Sequence, residues 1–197
     1  MRSALATVDS AVTLTPRERS ANDFYCEPRW AVDALLDVER FDGLVWDPAA
    51  GRDNIPQACR ARDIQAIGSD LVARGEATVY APLDFLGAAD APRFPRPENI
   101  ISNPPYAFAE AFIERALSLA SRKVAMLLRL SFLEGQRRGE MFQRTPLARV
   151  WVFSSRVSMP PGDVAVEANG GAVAFAWFVW EHGHSGPPSL GWLRRKP

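Results

Sequence analysis

Short apolar runs and amphipathic segments alternate along most of this sequence. Runs rich in β-branched and aromatic residues predict strands, and apolar residues spaced three or four apart predict helices. The predicted strands cover 44–46, 64–70, 78–80, 99–102, 124–128, 150–153 and 172–180. The predicted helices cover 30–38, 55–62, 108–120 and 135–144. This alternation favours an α/β fold, with a mostly parallel sheet and helices on both of its faces.

The two ends of the chain lack this pattern. Residues 1–22 show no helical or strand period, and the segment after His184 is rich in Gly and Pro. We therefore expect a flexible N-terminal tail at 1–22, one domain at 23–184 and a C-terminal tail at 185–197. Within the domain, 154–171 is a long predicted loop, and such loops are often functional.

The composition is that of an ordinary globular protein, with 47% hydrophobic and 23% charged residues. These values exclude a wholly disordered chain and a coiled coil. There are 23 basic and 23 acidic residues, so the net charge of zero excludes histone-like binding of nucleic acid but permits a local basic face.

The composition also bears on location and on metals. We expect no membrane span and no secretory signal, because no apolar stretch is long enough. Cys26 and Cys59 cannot form a disulfide framework, so a reduced, cytoplasmic protein is expected. No metal is expected, since His182 and His184 have no second cluster of ligands.

Polar side chains stand at the carboxyl ends of four predicted strands: Asp47, Asp70, Asp84 and Asn103. Ligands of parallel α/β sheets bind outside these strand ends. The turn 47–54 has small residues that let a ligand approach, and Asp70 could accept hydrogen bonds from a ribose diol. Each feature alone is also explained by a tight turn or a helix cap. Their coincidence at one edge of the sheet predicts a binding site there.

The sequence Asn103-Pro104-Pro105-Tyr106 is more specific than these single residues. The two prolines fix the backbone and remove two donors, so nearby carbonyl groups remain free to accept hydrogen bonds. The asparagine adds a side-chain acceptor and the tyrosine adds a flat face. This combination suits a planar substrate that carries an NH₂ group, whereas the structural alternative is a rigid turn from strand to helix.

With these motifs the chain resembles the class I S-adenosylmethionine-dependent methyltransferases, and among them the enzymes that methylate amino groups of DNA. Within that group it is similar to small methyltransferases carried by phages and prophages of bacteria. The resemblance covers 24–181 and also includes the segments 24–28, 127–135 and 174–181. It implies a Rossmann-like, seven-stranded, mostly parallel sheet with its last strand antiparallel, and S-adenosylmethionine as cofactor.

The resemblance also implies roles for individual residues. Asp70 would hold the ribose hydroxyls, Asp84 the adenine amine, and Asn103 Oδ1 with the Pro104 carbonyl the target amine, on whose ring Tyr106 would stack. Asp47 and Gly51 would line the methionine portion. The implied catalytic residues are Asn103, Pro104, Pro105 and Tyr106. The implied cofactor-binding residues are Phe24, Tyr25, Pro28, Asp47, Pro48, Ala49, Gly51, Asp53, Asp70, Asp84, Phe85 and Asn103.

Two positions depart from the family pattern. Asp53 stands where the family usually has a second glycine, and Glu27 stands where relatives often have threonine. The Asp53 carboxylate could repel the cofactor's carboxylate, bind its ammonium group, or turn away as a helix cap. The first possibility would weaken the binding of the cofactor.

The resemblance makes adenine N6 in DNA the expected target, with cytosine N4 chemically close. Methylation of a protein glutamine or an RNA base is an alternative, because the same motif occurs in such enzymes. A catalytically weakened module that binds nucleic acid is another. Nucleic acid, DNA above all, is the expected partner. Its sequence would be read by the loop 154–171 and by the segment 135–149, which contains Arg137, Arg138, Arg144 and Arg149.

Overall fold

A computed structural model describes residues 24–76, 78–87, 95–160, 162 and 173–195. The strands are β1 Val45–Asp47, β2 Ala66–Ser69, β3 Val79–Tyr80, β4 Asn99–Ser102, β5 Lys123–Arg129, β6 Leu147–Phe153, β7 Phe175–Glu181 and β8 Ser189–Leu193. The helices are α1 Arg29–Val38, α2 Asn54–Arg60, α3 Ala109–Leu119 and α4 Gln136–Arg144. Every predicted strand and helix is present, with ends that differ by a few residues. The predicted tail 1–22 and most of the predicted loop 154–171 lie outside the described residues.

The strands form one mixed sheet in the order β3-β2-β1-β4-β5-β7-β6-β8. The first five strands run parallel, and β7 lies antiparallel between β5 and β6. The prediction of a mostly parallel sheet with the last predicted strand antiparallel is confirmed. The expected number of seven strands is wrong for the described residues, because β8 adds an eighth strand parallel to β6.

Strand β8 lies in the segment expected to be a C-terminal tail. Leu193 is buried, whereas Leu190 and Trp192 point to solvent. Gly191 stands opposite Trp151, and a Cβ at this glycine would lie 2.1 Å from the indole ring. The strand therefore depends on Gly191, although glycine in this sequence context is typical of a loop.

The two faces of the sheet carry separate apolar cores. Helices α1 and α2 pack on one face, where Val45, Leu127 and Trp177 point. Helices α3 and α4 pack on the other face, where Trp46 and Phe178 point. The expected helices on both faces are thus present, and the central strands are buried on both sides. Within the described ranges, no helix is long and apolar enough to cross a membrane.

An ion-pair cluster ties α1 to the sheet at the end opposite the strand-end acids. Glu39, next after α1, accepts hydrogen bonds from Arg149, from Lys123 Nζ at 2.9 Å and from Trp151 Nε1 at 2.9 Å. Burial alone would raise the pKa of Glu39, but these hydrogen bonds outweigh burial and lower it. Arg149 also donates to Glu181 at 2.6 Å. Arg149 therefore stabilises the fold through Glu39 and Glu181, and the structure does not support its predicted contact with a substrate.

Candidate active site

A cavity of about 350 Å³ opens at the carboxyl ends of β1, β2 and β4. The predicted site residues in its wall are Phe24, Tyr25, Pro48, Ala49, Asp70, Asp84, Phe85, Asn103 and Pro105. The predicted residues that do not line the cavity are Pro28, Asp47, Gly51, Asp53, Pro104 and Tyr106. The strand-end pattern therefore located the cavity, and several of the predicted residues support its wall from behind.

The turn after β1 is tied to the acid that follows β2. Asp70 Oδ2 accepts a hydrogen bond from the Gly51 N–H at 2.9 Å, and Asp70 Oδ1 accepts one from the Val72 N–H at 2.9 Å. Gly51 has a positive φ of 53°, and a Cβ there would lie 2.6 Å from the Phe24 ring. Glycine is thus required at 51 both by the backbone and by the aromatic side chain that covers it.

Asp53 has turned away from the cavity. It is fully buried at the start of α2, where its carboxylate pairs with Arg60 and accepts a hydrogen bond from Thr78 Oγ1 at 2.6 Å. The side chain caps no helix N–H. The structure therefore does not place Asp53 in the cavity wall. Its charge is paired with that of Arg60 inside the protein, because burial of a lone carboxylate would be costly.

Asp47 supports the turn from beneath. Its Oδ1 accepts hydrogen bonds from Ser102 Oγ at 2.8 Å and from the Ala49 N–H at 3.1 Å. Burial, followed by the negative charge of Glu27, raises the pKa of Asp47 well above its ordinary value. Two buried carboxyl groups thus lie near one another behind the cavity wall, and a cation bound beside Asp47 would favour its ionised form.

Asn103 has a fixed orientation at the end of β4. Its Nδ2 donates to the Tyr25 backbone carbonyl at 2.8 Å and to Glu27 Oε2 at 3.0 Å. Its Oδ1 accepts a hydrogen bond from the Tyr106 hydroxyl at 3.1 Å. A carbonyl oxygen accepts two hydrogen bonds, so Oδ1 retains capacity for one donor of a bound substrate.

Tyr106 lies behind Asn103 in a group of aromatic and cationic side chains. Its ring stacks against Tyr25 with centroids 6.1 Å apart, and Phe175 lies 6.0 Å away at a tilt. The Arg129 guanidinium lies 5.0 Å from the Tyr106 ring centroid. Pro104 is buried in the same turn. Stacking of Tyr106 on a target ring stays a prediction, and the observed contact of its hydroxyl is with Asn103.

The segment before α1 closes one side of the cavity. The Cys26 N–H donates to the Pro160 carbonyl at 3.1 Å, and the Gly162 N–H donates to the Phe24 carbonyl at 3.0 Å. The Phe24 ring lies beneath the Arg74 guanidinium, 3.5 Å from its centroid. Pro28 directly precedes α1 and contributes no wall. The aromatic residues of this segment, and not its proline, therefore form the cover.

The other end of the cavity contains the remaining strand-end acid. Asp84 is exposed, and its Oδ1 accepts a hydrogen bond from the Leu86 N–H at 3.0 Å. Phe85 is buried, with its ring 5.3 Å from that of Trp46 and 4.9 Å from that of Phe112. Phe85 is thus mainly a core residue that also presents part of its surface to the cavity.

Further wall residues were not predicted from the sequence: Leu71, Val72, Arg74, Leu83, Leu86, Phe108 and Phe112. Four of the seven lie within two residues of a strand-end acid, and Phe108 and Phe112 are four residues apart. Proximity to the acids was the available signal, but it does not show which neighbours face a cavity. Among the described residues, no group of three or more His, Cys, Asp or Glu side chains could hold a metal ion.

No family model matches this sequence, and no curated protein matches it. Solved structures do match the fold. A modification subunit attributed to a type I restriction enzyme of Vibrio vulnificus YJ016 is similar with a TM-score of 0.55 and 13% identity, over 86% of this chain and 46% of that one. The chain has a methyltransferase fold.

Two further structures support this assignment of the fold. A protein of Listeria monocytogenes assigned to the class I S-adenosylmethionine-dependent methyltransferases matches with a TM-score of 0.54 and 11% identity, over 84% of this chain and 62% of that one. A protein of Agrobacterium tumefaciens predicted to be an O-methyltransferase matches with a TM-score of 0.54 and 13% identity, over 86% of each chain. The chain spans less than half the length of the Vibrio subunit.

Proposed function

We propose that this protein is an S-adenosylmethionine-dependent methyltransferase that acts on an exocyclic amine, with adenine N6 in DNA as its substrate. The observation that carries the proposal is the fixed amide of Asn103 in the cavity wall of a methyltransferase fold. Its Nδ2 is fully engaged by protein acceptors, and its Oδ1, which accepts one hydrogen bond from the Tyr106 hydroxyl, has capacity for one further N–H donor. This is the arrangement that binding of a substrate amine requires.

The cavity fits the proposed cofactor in size and in polarity. Its volume of about 350 Å³ lies within the range of small-molecule sites, ~300–1,000 Å³. Asp70, at one wall, is a carboxylate acceptor for ribose hydroxyls, and Asp84 is an exposed acceptor for an adenine amine. The carboxyl group of Asp47 behind the wall suits a neighbouring cation, and S-adenosylmethionine carries both an ammonium and a sulfonium.

The chain's own contribution to the reaction is to hold and orient the amine. The lone pair of a ring amine is delocalised and therefore weakly nucleophilic. Hydrogen bonds from the amine to Asn103 Oδ1 and to the Pro104 carbonyl would favour a tetrahedral nitrogen whose lone pair points along one direction. The cofactor, when bound, supplies an electrophilic methyl group. Alignment of reacting groups provides large effective molarities, so no nucleophilic side chain is needed.

Arg129 favours a polyanionic substrate over a small amine. It is exposed at the carboxyl end of β5, beside Tyr106, and no carboxylate within the described ranges forms an ion pair with it. A guanidinium at this place would contact a phosphate next to a base whose amine reaches Asn103. The likeness in fold to a restriction-enzyme modification subunit points in the same direction.

A base in a duplex must first leave the helix, which costs a few kcal/mol. A stacking contact with an aromatic ring contributes ~1–3 kcal/mol per base, so the cluster of Tyr25 and Tyr106 would offset part of this cost. A catalytically weakened module is the alternative. The pairing of Asp53 with Arg60 supports an active enzyme instead, because this carboxylate does not line the cavity.

The test is methyl transfer from S-adenosylmethionine labelled in the methyl group. Duplex DNA, single-stranded DNA, RNA and a protein mixture are incubated separately, and the products are digested and analysed by mass spectrometry. We expect N6-methyladenine in DNA from the wild type and none from Asn103→Ala, which should bind the cofactor with nearly unchanged affinity. Label in RNA or in glutamine side chains, and not in DNA, would show that RNA or protein is the substrate. The absence of cofactor binding by calorimetry would overturn the proposal.

A further inference from the structure

Glu27 is a buried carboxyl group with a restricted set of contacts. It is 7% exposed, and no Lys or Arg of the described residues lies within ion-pair distance of it. Its side chain accepts a hydrogen bond from Asn103 Nδ2 to Oε2 at 3.0 Å and another from its own backbone N–H. Its backbone carbonyl accepts another, from Asn54 Nδ2 at 3.1 Å, which fixes the Glu27 backbone against α2.

Burial of the Glu27 carboxyl group lowers the stability of the folded protein, so we ask what its contacts contribute in return. An unpaired carboxyl group in the interior is unfavourable by several kcal/mol, and the residue lies near a second buried acid, Asp47. A neutral or apolar side chain would avoid this penalty. The side chain with which Glu27 forms its hydrogen bond is Asn103, the amide that the proposed reaction uses.

The contacts at Nδ2 determine which way the Asn103 amide faces. Its two N–H groups are taken by two acceptors, the Tyr25 carbonyl and Glu27 Oε2. A rotation of the amide by 180° would place Oδ1 against both of these oxygen atoms and would leave the NH₂ group toward Tyr106. Neither the ionised Glu27 carboxylate nor the Tyr25 carbonyl can donate to that oxygen, so the ionised Glu27 disfavours the rotated amide.

We propose that Glu27 is a positioning residue that holds the Asn103 amide with Oδ1 toward the substrate amine. The assignment rests on the proposed function, in which Oδ1 accepts a hydrogen bond from that amine. With one of the two acceptors removed, the amide samples the rotated state, in which its NH₂ group meets the NH₂ group of the substrate. A donor facing a donor cannot bind the amine, so methyl transfer slows although the cofactor still binds.

The test compares Glu27→Ala with Glu27→Gln. The Gln side chain retains an acceptor oxygen at the right distance, whereas Ala retains none. Displacements of about 1 Å in an active site cost up to ~100-fold in rate. We expect Glu27→Ala to lose 10- to 100-fold in kcat with KM for S-adenosylmethionine within threefold, and Glu27→Gln to recover kcat to within threefold of the wild type. Thermal melts of both variants check that they are folded.

A readout independent of activity is the NMR signal of the Asn103 side-chain amide, assigned by its loss in Asn103→Ala. In the wild type and in Glu27→Gln, both Nδ2 protons should be slow to exchange with water, and in Glu27→Ala one of them should exchange at least tenfold faster. Unchanged exchange in Glu27→Ala, or a kcat as low in Glu27→Gln as in Glu27→Ala, would overturn the positioning role. Failure of the wild type to transfer a methyl group would overturn the proposed function instead. The exchange data would still show whether Glu27 holds the Asn103 amide through its hydrogen bond to Nδ2.

Discussion

Asp53 lies outside the cavity wall, although the motif places it among the cofactor-binding residues. Its φ of 66° is a backbone conformation in which glycine is favoured, consistent with the family's glycine at this place. The aspartate tolerates this conformation better than most residues do, and its carboxylate finds Arg60 and Thr78 in the interior. We therefore expect Asp53 to contribute to the stability of the fold and not to cofactor affinity.

We accordingly predict that Asp53→Asn lowers the free energy of unfolding by ~1–3 kcal/mol, because it leaves Arg60 without its buried charge partner. Asn tolerates positive φ as well as Asp does, so the backbone is not the cause. Asp63→Asn is the matched control: Asp63 also has a positive φ, of 59°, but its side chain is exposed. Urea unfolding measures the stability of both variants. Calorimetry should show that Asp53→Asn binds S-adenosylmethionine with unchanged affinity. A change in affinity of tenfold or more for Asp53→Asn would return this residue to the cofactor site.

Asp70 and Asp84 should differ in their contributions to cofactor affinity. Asp70 Oδ2 and Oδ1 hold the N–H groups of Gly51 and Val72, so Asp70→Ala removes a ligand and also loosens the turn that covers it. We expect a loss of at least tenfold in affinity, measured by calorimetry. Asp84 is exposed, and Asp84→Ala should lose less. Equal losses in the two variants would contradict this ranking.

At the scale of elements, the strand β8 depends on close contact between Gly191 and Trp151. A Cβ at 191 would lie 2.1 Å from the indole ring, so Gly191→Ala forces either the ring or the strand to move. We predict a loss of ~1–3 kcal/mol in the free energy of unfolding, the usual cost of overpacking. The control is Gly139→Ala in α4, where no atom lies within 4 Å and Ala should be neutral or stabilising by up to ~1 kcal/mol. Chemical denaturation of both variants checks the difference.

Most elements were predictable from the sequence, and the exceptions have physical causes. The buried central strands and the helices α1 and α3 carry strong apolar patterns, so their presence and order followed from periodicity. Strand β8 did not, because its glycine and its exposed Trp192 are typical of a loop. In the site, the strand-end acids located the cavity, but the direction of each side chain depends on partners distant in sequence. Arg60 turns Asp53 inward and Glu27 orients Asn103, and neither contact has a signature in the local sequence.

At the scale of the whole molecule, stability should fall as pH rises from about 5 to 8. Burial raises the pKa of Glu27 from 4.5 to about 7, and the neighbouring acid Asp47 also has a raised pKa. Between pH 4.5 and about pH 7, Glu27 keeps its proton in the folded chain but has released it in the unfolded chain. The free energy of unfolding therefore decreases as pH rises. For Glu27 the loss is ~3 kcal/mol when complete above pH 7. Glu39 has the opposite effect on stability. Because its pKa is lowered in the folded chain, its stabilising contribution is present at neutral pH and is lost only below pH 4.5.

Urea unfolding at pH 5, 6, 7 and 8 measures this dependence. The groups that face Glu27 are Asp47 from β1 and the neutral Asn103 after β4, with Cys26 adjacent in the chain. Glu27→Gln removes the titrating group and should flatten the slope of stability against pH, leaving the part that comes from Asp47. A wild type whose stability does not change between pH 5 and pH 8, or an equally steep slope in Glu27→Gln, would contradict the prediction.

The placement of β7 between β5 and β6 has a consequence for the chain as it leaves the ribosome. Strand β5 ends at residue 129, but its second neighbour in the sheet begins only at residue 175. Until that segment has been synthesised, β5 has an open edge, and the interior side chains of Leu127 and Leu128 lack the strand beside them. Nascent chains that stop before residue 175 therefore resemble an unfinished sheet, which is prone to pair with other chains. Formation of the complete sheet therefore waits until the segment that begins at residue 175 has been synthesised.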